Sequence, residues 1–186
     1  MARPRRIEGY AIVSSNGMIA DAAGVFPEAL KFPADQRLFE QGLNEADVVA
    51  HGRHSRERQP GSERRRRIVL TRRIAALGRD PARPLELLWN SDGASFEAAW
   101  AELGVADGTL AVIGGTDVFG LFLDAYDLFH LTRAAEVFLP GGRPVFPGVP
   151  ARPPEAILGR HGMEPGAIAT LAPDQGLTVT NWRRSD

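Results

Sequence analysis

Asp35 stands at helical spacing among apolar residues, with Phe32 three positions before it, Leu38 three after and Phe39 four after. That spacing puts a carboxylate on the apolar stripe of a helix. A carboxylate so placed can hold an amidine or a ring N–H and take part in proton transfer. The same position also suits a first-turn acid that complements the helix dipole, and spacing leaves both readings open. Two β-rich runs end in glycine. Val48-Val49-Ala50-His51-Gly52 runs into the basic, hydroxyl-bearing turn Arg53-His54-Ser55, and Leu110-Ala111-Val112-Ile113 runs into Gly114-Gly115-Thr116-Asp117. Glycine turns that open a helix present free N–H groups and the positive end of a dipole, and both favour phosphate. Arginine and hydroxyl donors at Arg53, His54 and Ser55 suit phosphate oxygens, although a solvated turn with a capping serine fits them equally. Thr71-Arg72-Arg73 closes another strand pattern and can read a ribose 2′-phosphate or simply face water. Neither glycine turn matches the G-x-G-x-x-G dinucleotide fingerprint.

Composition narrows the alternatives. The chain has 186 residues, a length expected to form one domain over 1–186 with a substantial core. A formal net charge of −1 attracts neither nucleic acid nor acidic membranes as a whole. The run Arg64-Arg65-Arg66-Arg67 is flanked by Glu57 and Glu63 and has no interleaved aromatics, so it resembles a nucleic-acid patch only superficially. No cysteine is present, which excludes disulfides, thiolate metal sites and a cysteine nucleophile, and agrees with a cytoplasmic location. The histidines form no zinc-type pair, and His51 reads as structural. No apolar run has the length of a membrane span. No G-x-S-x-G elbow is present, which argues against a serine hydrolase.

The elements that must carry these residues alternate. Strands are expected at 7–14, 48–50, 67–71, 85–89, 110–113, 128–132 and 176–182, with 168–171 pairing the last. Helices are expected at 32–43, 94–103 and from the Gly-Gly turn through Leu123. Pro33 suits a first helical turn. Asn16-Gly17 reads as a tight turn or as the start of a loop running to Leu30, and 140–154 reads as a Gly/Pro-rich loop. This pattern predicts an α/β fold: a mostly parallel central sheet, an antiparallel C-terminal edge hairpin and helices on both faces.

The order of these pieces resembles the dihydrofolate reductase-like superfamily, which includes dihydrofolate reductase and the reductase domain of riboflavin biosynthesis. Phe32-Pro33-Ala34-Asp35, followed by Phe39, is similar to the Leu-Pro-Ala-Asp segment that carries the substrate-binding carboxylate. Gly52-Arg53-His54-Ser55 resembles the Gly-Arg-x-Thr/Ser cofactor turn, and Ile68-Val69-Leu70-Thr71-Arg72 the strand that meets the NADPH 2′-phosphate. Val112-Ile113-Gly114-Gly115 resembles the nicotinamide-side turn, whose Gly-Gly peptide is cis in the family. Phe129-His130-Leu131-Thr132 and Phe146-Pro147 match later landmarks. Ser15-Asn16-Gly17-Met18-Ile19-Ala20 resembles the Ser-x-Asp-Gly-x-Ile-Ala motif of the riboflavin-pathway branch, with Asn16 in place of the aspartate, and Ala46-Asp47 also resembles that branch. Leu30-Lys31 stands where the folate enzymes usually carry Pro-Trp, and Arg65 maps to their glutamate-tail arginine without its Pro-Gly-Arg context. The sequence thus mixes two subfamilies.

The resemblance implies a three-layer dihydrofolate reductase-like fold and an NADPH-dependent oxidoreductase. It implies hydride transfer to a C=N or C=O carbon of a small nitrogen heterocycle, of the dihydrofolate or 5-amino-6-(5-phosphoribosylamino)uracil type. Asp35 is implied as catalytic, and Asp35, Phe39, Arg65 and Thr132 as substrate-binding. Ile19 and Ala20 would meet the nicotinamide, Gly114, Gly115 and Thr116 would line its turn, and Gly52, Arg53, His54, Ser55, Thr71 and Arg72 would hold the rest of the cofactor. The alternative is a non-catalytic member that binds a nucleotide or metabolite. A monomer or homodimer is expected, with no nucleic-acid or membrane partner.

Overall fold

The computed structural model describes residues 3–56 and 58–185; Glu57, which flanks the basic run, lies outside the described residues. In chain order the elements are β1 (Arg6–Ser14), β2 (Met18–Ala20), α1 (Pro33–Glu45), β3 (Val48–Gly52), β4 (Arg66–Leu70), β5 (Leu77–Arg79), β6 (Glu86–Trp89), α2 (Phe96–Glu102), β7 (Thr109–Val112), α3 (Thr116–Leu121), β8 (Leu128–Ala134), β9 (Arg143–Pro144), α4 (Pro154–Arg160), β10 (Met163–Ala172) and β11 (Leu177–Arg184). Nine strands form one sheet in the order β10-β11-β8-β1-β7-β3-β4-β6-β5. Its centre is parallel, from β8 through β1, β7, β3 and β4 to β6. The hairpin β10–β11 adds antiparallel to β8, as the alternating C-terminal pattern predicts.

Alternation of side chains across the strands divides the packing. Glu8, Tyr10 and Ile12 of β1 point to the α1 face, where Leu43 packs with Tyr10, Val49 and Ala111. The other face holds the larger cluster, in which Val13 and Val112 meet Trp100 of α2, Phe119 of α3 and Leu158 of α4. Gly42 lets α1 sit close to the sheet: a Cβ there would lie 2.3 Å from Tyr10 Cζ. Pro33 occupies the first turn of α1, behind an extended Phe32. Ser95 caps α2, its hydroxyl accepting from Ala98 N at 3.2 Å, so the helix begins at Phe96 rather than Ala94.

Several expectations are corrected. The 140–154 segment is not wholly loop: it contributes β9 and leads into α4, which opens on Pro154. Asn16-Gly17 does lie in a tight turn, closed by Gly17 N donating to Ser14 O at 3.0 Å, but no loop runs from it unbroken to Leu30. β2 leaves the main sheet and pairs with β9, Met18 opposite Pro144 and Ala20 opposite Arg143. A second antiparallel edge strand, β5, escapes the sequence pattern because three residues carry no readable period. The basic run is divided by the strand it enters. Arg64 is exposed, but Arg67 is 1% exposed on β4 and donates to Ser62 O at 2.6 Å. Strand period buries it: Arg66 and Arg67 point to opposite faces.

Candidate active site

The carboxyl ends of the parallel strands collect the residues singled out above. That edge is where α/β folds bind ligands. α1 starts at this edge and runs back to β3, so Asp35 in its first turn overlooks the strand ends. Thr132 is the residue of β8 beneath it, flanked by Ile12 of β1 and Val179 of β11. Burial pushes the Asp35 carboxyl up to about 6, and the side-chain hydrogen bond with Thr132 opposes part of that rise. Low dielectric disfavours the carboxylate, and a donor hydroxyl favours it. The apolar stripe expected around Asp35 divides at that residue: Phe32 joins the cluster of Ile12, Leu30 and Leu177, while Phe39 joins that of Tyr10 and Ile113. Phe39 stands edge-on to Tyr10, ring centres 6.4 Å apart.

The two glycine turns meet. Gly52 N donates to Gly114 O at 2.7 Å, and Ile113 N donates to Ala50 O at 3.0 Å. A Cβ on Gly115 would lie 3.2 Å from Ser55 Oγ, and one on Gly52 would lie 3.6 Å from Gly115 N. Backbone therefore lines a narrow cradle between β3 and β7. The Gly114–Gly115 peptide is cis, as the resemblance implies, and Gly114 has φ +103°. Arg53, His54 and Arg72 are exposed around this cradle, and Thr71 is buried with its hydroxyl accepting from Arg73 N at 3.3 Å. Arg72 reaches Asp117 in the first turn of α3 at 3.7 Å. The Thr116 hydroxyl is engaged elsewhere: it donates to Pro144 O at 2.5 Å. Because Pro144 pairs with Met18, that bond ties the ribbon bearing Ile19 and Ala20 to the Gly-Gly turn.

Arg65 is not brought to Asp35. It donates to Asn44 Oδ1 at 2.6 Å, near the opposite end of α1. Asn44 lies nine positions along α1 from Asp35, a rise of about 14 Å. Only the far end of an elongated ligand would meet it.

Sequence reading missed the clamp that sets the β1–β2 turn. Ser14 Oγ donates to Asn16 Oδ1 at 2.7 Å and accepts from Met18 N at 3.0 Å. Asn16 also bridges Leu139, accepting from its N–H at 3.1 Å and donating Nδ2 to its carbonyl at 2.9 Å. Arg133 donates to Ser15 O at 3.0 Å and pairs with Glu155. An aspartate at position 16 has no proton for the Leu139 carbonyl. Asn16→Asp is therefore expected to lower stability by about 0.5–1.5 kcal/mol, the net worth of one hydrogen bond, since the Leu139 carbonyl still accepts from Gly142 N at 3.3 Å. Thermal unfolding checks this, at about 2–4 °C per kcal/mol for a chain of this size.

A second missed group lies one rung from Thr132 on the same face. The Tyr10 ring stacks on His130 at 4.5 Å, and its hydroxyl donates to Glu8 Oε2 at 2.5 Å. His130 Nδ1 meets Asn181 Oδ1 at 2.8 Å. His130, whose Nε2 lies 3.9 Å from Glu8 Oε2, is the main cause holding the Glu8 carboxyl below its usual range, against the opposing effect of burial. The two-residue spacings Glu8/Tyr10 and His130/Thr132 were the available signal.

Elsewhere, a surface recess of about 410 Å3 lies at Arg6, Asp127, Arg183, Arg184 and Ser185, near the opposite ends of the strands. Its Arg184 guanidinium is bound to the carbonyls of Tyr126, His161 and Leu123. Among the described residues no group of three His, Cys, Asp or Glu is arranged to hold a metal, and no helix is long and apolar enough to cross a membrane.

These features define a three-layer α/β fold with its candidate site at the carboxyl ends of a parallel sheet. No protein-family model and no curated protein matches the sequence. The fold is similar to that of dihydrofolate reductase from Enterococcus faecalis complexed with NADP(H) and RAB-propyl, with a TM-score of 0.67 and 20% identity over 97% of both chains. It is also similar to a diaminohydroxyphosphoribosylaminopyrimidine deaminase/5-amino-6-(5-phosphoribosylamino)uracil reductase from Thermotoga maritima, with a TM-score of 0.68 and 16% identity. That match covers 97% of this chain and 56% of the longer one. The chain has the dihydrofolate reductase-like fold.

Proposed function

We propose that this chain is an NADPH-dependent reductase of a small nitrogen heterocycle, of the pteridine or ribosylaminopyrimidine class. The observation that carries the reading is Asp35: a carboxyl raised to about 6 and bonded to Thr132, at the ligand-binding edge of this fold. A raised carboxyl beside a cleft is a mark of functional sites. The cradle between Gly52, Ser55 and Gly115, too narrow for an added side chain at Gly115 without displacing Ser55, suits the close approach of a phosphorylated cofactor.

NADPH, when bound, supplies the hydride. Ser55 and the backbone of the two glycine turns would hold its central portion. Arg53, His54, Thr71 and Arg72 would take its phosphates, Arg72 exchanging its partner Asp117 for an anion. The ribbon of Ile19 and Ala20, fixed through Pro144 to Thr116, would cover the nicotinamide and exclude water. Asp35 would orient the heterocycle by accepting a ring N–H, and near neutral pH it can carry the proton that balances hydride addition to a C=N or C=O carbon. Phe39 would pack on the ring, and Arg65 would reach only a substituent extending along α1.

The test is loss of NADPH absorbance with dihydropteridines and with ribosyl- and ribitylaminopyrimidines. Turnover of one class supports the reading and names the branch. Tight NADPH binding with no oxidation against either class would instead indicate a binding protein.

A further inference from the structure

We propose that the recess between the ends of β1 and β11 binds a sugar phosphate, its phosphate held by the guanidinium groups of Arg6, Arg183 and Arg184. The inference does not rest on the reductase reading, because the recess lies at the opposite ends of the strands from Asp35. Sheet register makes it. Leu128, the first residue of β8, stands opposite Glu8 of β1 and Arg183 of β11. β1 starts two residues before Glu8, at Arg6, and β11 runs on to Arg184. The middle strand therefore stops short of both neighbours and leaves a notch. Asp127 joins its two sides: Oδ2 accepts from Ile7 N at 2.7 Å, and the carbonyl accepts from Arg184 N at 3.2 Å. The volume of about 410 Å3 is in the range of small-molecule sites.

The chemistry of the lining selects the ligand. Arg184 is half-buried, and its guanidinium donates to the carbonyls of Tyr126 at 2.8 Å, His161 at 2.8 Å and Leu123 at 3.0 Å. Carbonyls orient a guanidinium without neutralising it. Three of its five N–H groups are used, and the others are left for a ligand. The side chain is thus in place before a ligand arrives, which removes an ordering cost. Arg6 gives Nε to Glu8 Oε1 at 2.7 Å, and its two terminal nitrogens have no partner among the described residues. Arg183 is exposed, and among the described residues its guanidinium has none either, although Glu164 stands opposite it on β10. Against these three cations the recess sets one carboxylate, Asp127. A carboxylate ligand offers two oxygens in one plane and a single charge. A phosphomonoester offers three oxygens on a tetrahedron and nearly two charges, which matches three guanidinium groups. A sugar hydroxyl can then donate to Asp127 Oδ1, the oxygen that Ile7 N leaves open.

Titration of the full chain at low salt with ribose 5-phosphate, ribose and sulfate, read by backbone-amide NMR shifts, is the test. The expected result is a dissociation constant below about 1 mM for ribose 5-phosphate, with shifts at Asp127 and at residues 183–185. Sulfate should bind about tenfold more weakly or worse, and ribose not at all. Arg183→Gln removes an exposed cation that supports no other contact among the described residues. It should weaken ribose 5-phosphate about tenfold, the worth of one charge-assisted contact, and leave the unfolding temperature of the free protein unchanged. Shifts confined to residues 52–55 and 71–72 would put the phosphate at the other end of the sheet. That outcome, no binding of ribose 5-phosphate, sulfate bound as tightly as the ester, or undiminished binding in Arg183→Gln would each overturn the proposal.

Discussion

Asp35→Asn is expected to reduce turnover by about 10²–10⁴-fold, the usual worth of a positioned acid or base, with NADPH binding retained. The substitution keeps the shape of the side chain and leaves Thr132 a partner, but it removes the titrating proton. The same change should stabilise the protein at neutral pH. The carboxyl rises from 3.8 to about 6 on folding because burial disfavours its charge. A group raised in this way contributes its stability below the unfolded value, and that contribution disappears as pH rises through about 6. Above pH 6 the buried carboxylate costs up to about 3 kcal/mol, two units at 1.36 kcal/mol each, trimmed by its partial solvent access. The favourable charge in the first turn of α1 offsets about 0.3–1 kcal/mol. Asp35→Asn should therefore raise the unfolding temperature by several degrees at pH 8 and by little at pH 4. Turnover of the unmodified protein should fall as pH rises above 6, if the protonated carboxyl is the competent form. Steady-state rates with any substrate found, and melting curves at the two pH values, check both. Wild-type turnover in the variant rules out the catalytic role. A loss of stability at pH 8 would mean that Asp35 serves its helix.

NADPH should bind about 10- to 150-fold more tightly than NADH. The 2′-phosphate gains a charge-assisted contact of roughly 1.5–3 kcal/mol. Its donors are expected at the end of β4, where Arg72 is exposed and held only loosely by Asp117 at 3.7 Å across the cradle. That pair is too exposed to contribute much by itself, so an anion can displace it. Arg72→Ala should bring the two dissociation constants together while leaving NADH affinity nearly unchanged. Fluorescence titration measures both. Equal affinities in the unmodified protein would remove Arg72 and Thr71 from the phosphate site. A selectivity retained in Arg72→Ala would move the contact to Arg53 or His54.

What the sequence by itself determined is local or periodic. Val48–Ala50 and Leu110–Ile113 read as strands because buried parallel strands are continuous apolar runs. The glycines at their ends mark where the chain must turn, and the alternation after Gly176 marks the closing hairpin. Asp35 was legible because its neighbours at three and four positions are apolar, and that spacing holds wherever the helix packs. Tertiary structure decided which atoms these elements share. Thr132 lies beneath Asp35 only because β8 enters the sheet beside β1, far from α1 in the chain. Asn16 finds Leu139 across 123 positions of the chain, and Thr116 finds Pro144 across 28. Arg67 looks like part of a charged run until strand period turns it inward, while Arg65 is drawn to Asn44 at the end of α1 away from Asp35. Periodicity records which face of an element is apolar. Hydrogen bonds and ion pairs depend on sub-ångström placement between segments that the chain order does not bring together, so they become visible only once the sheet is assembled.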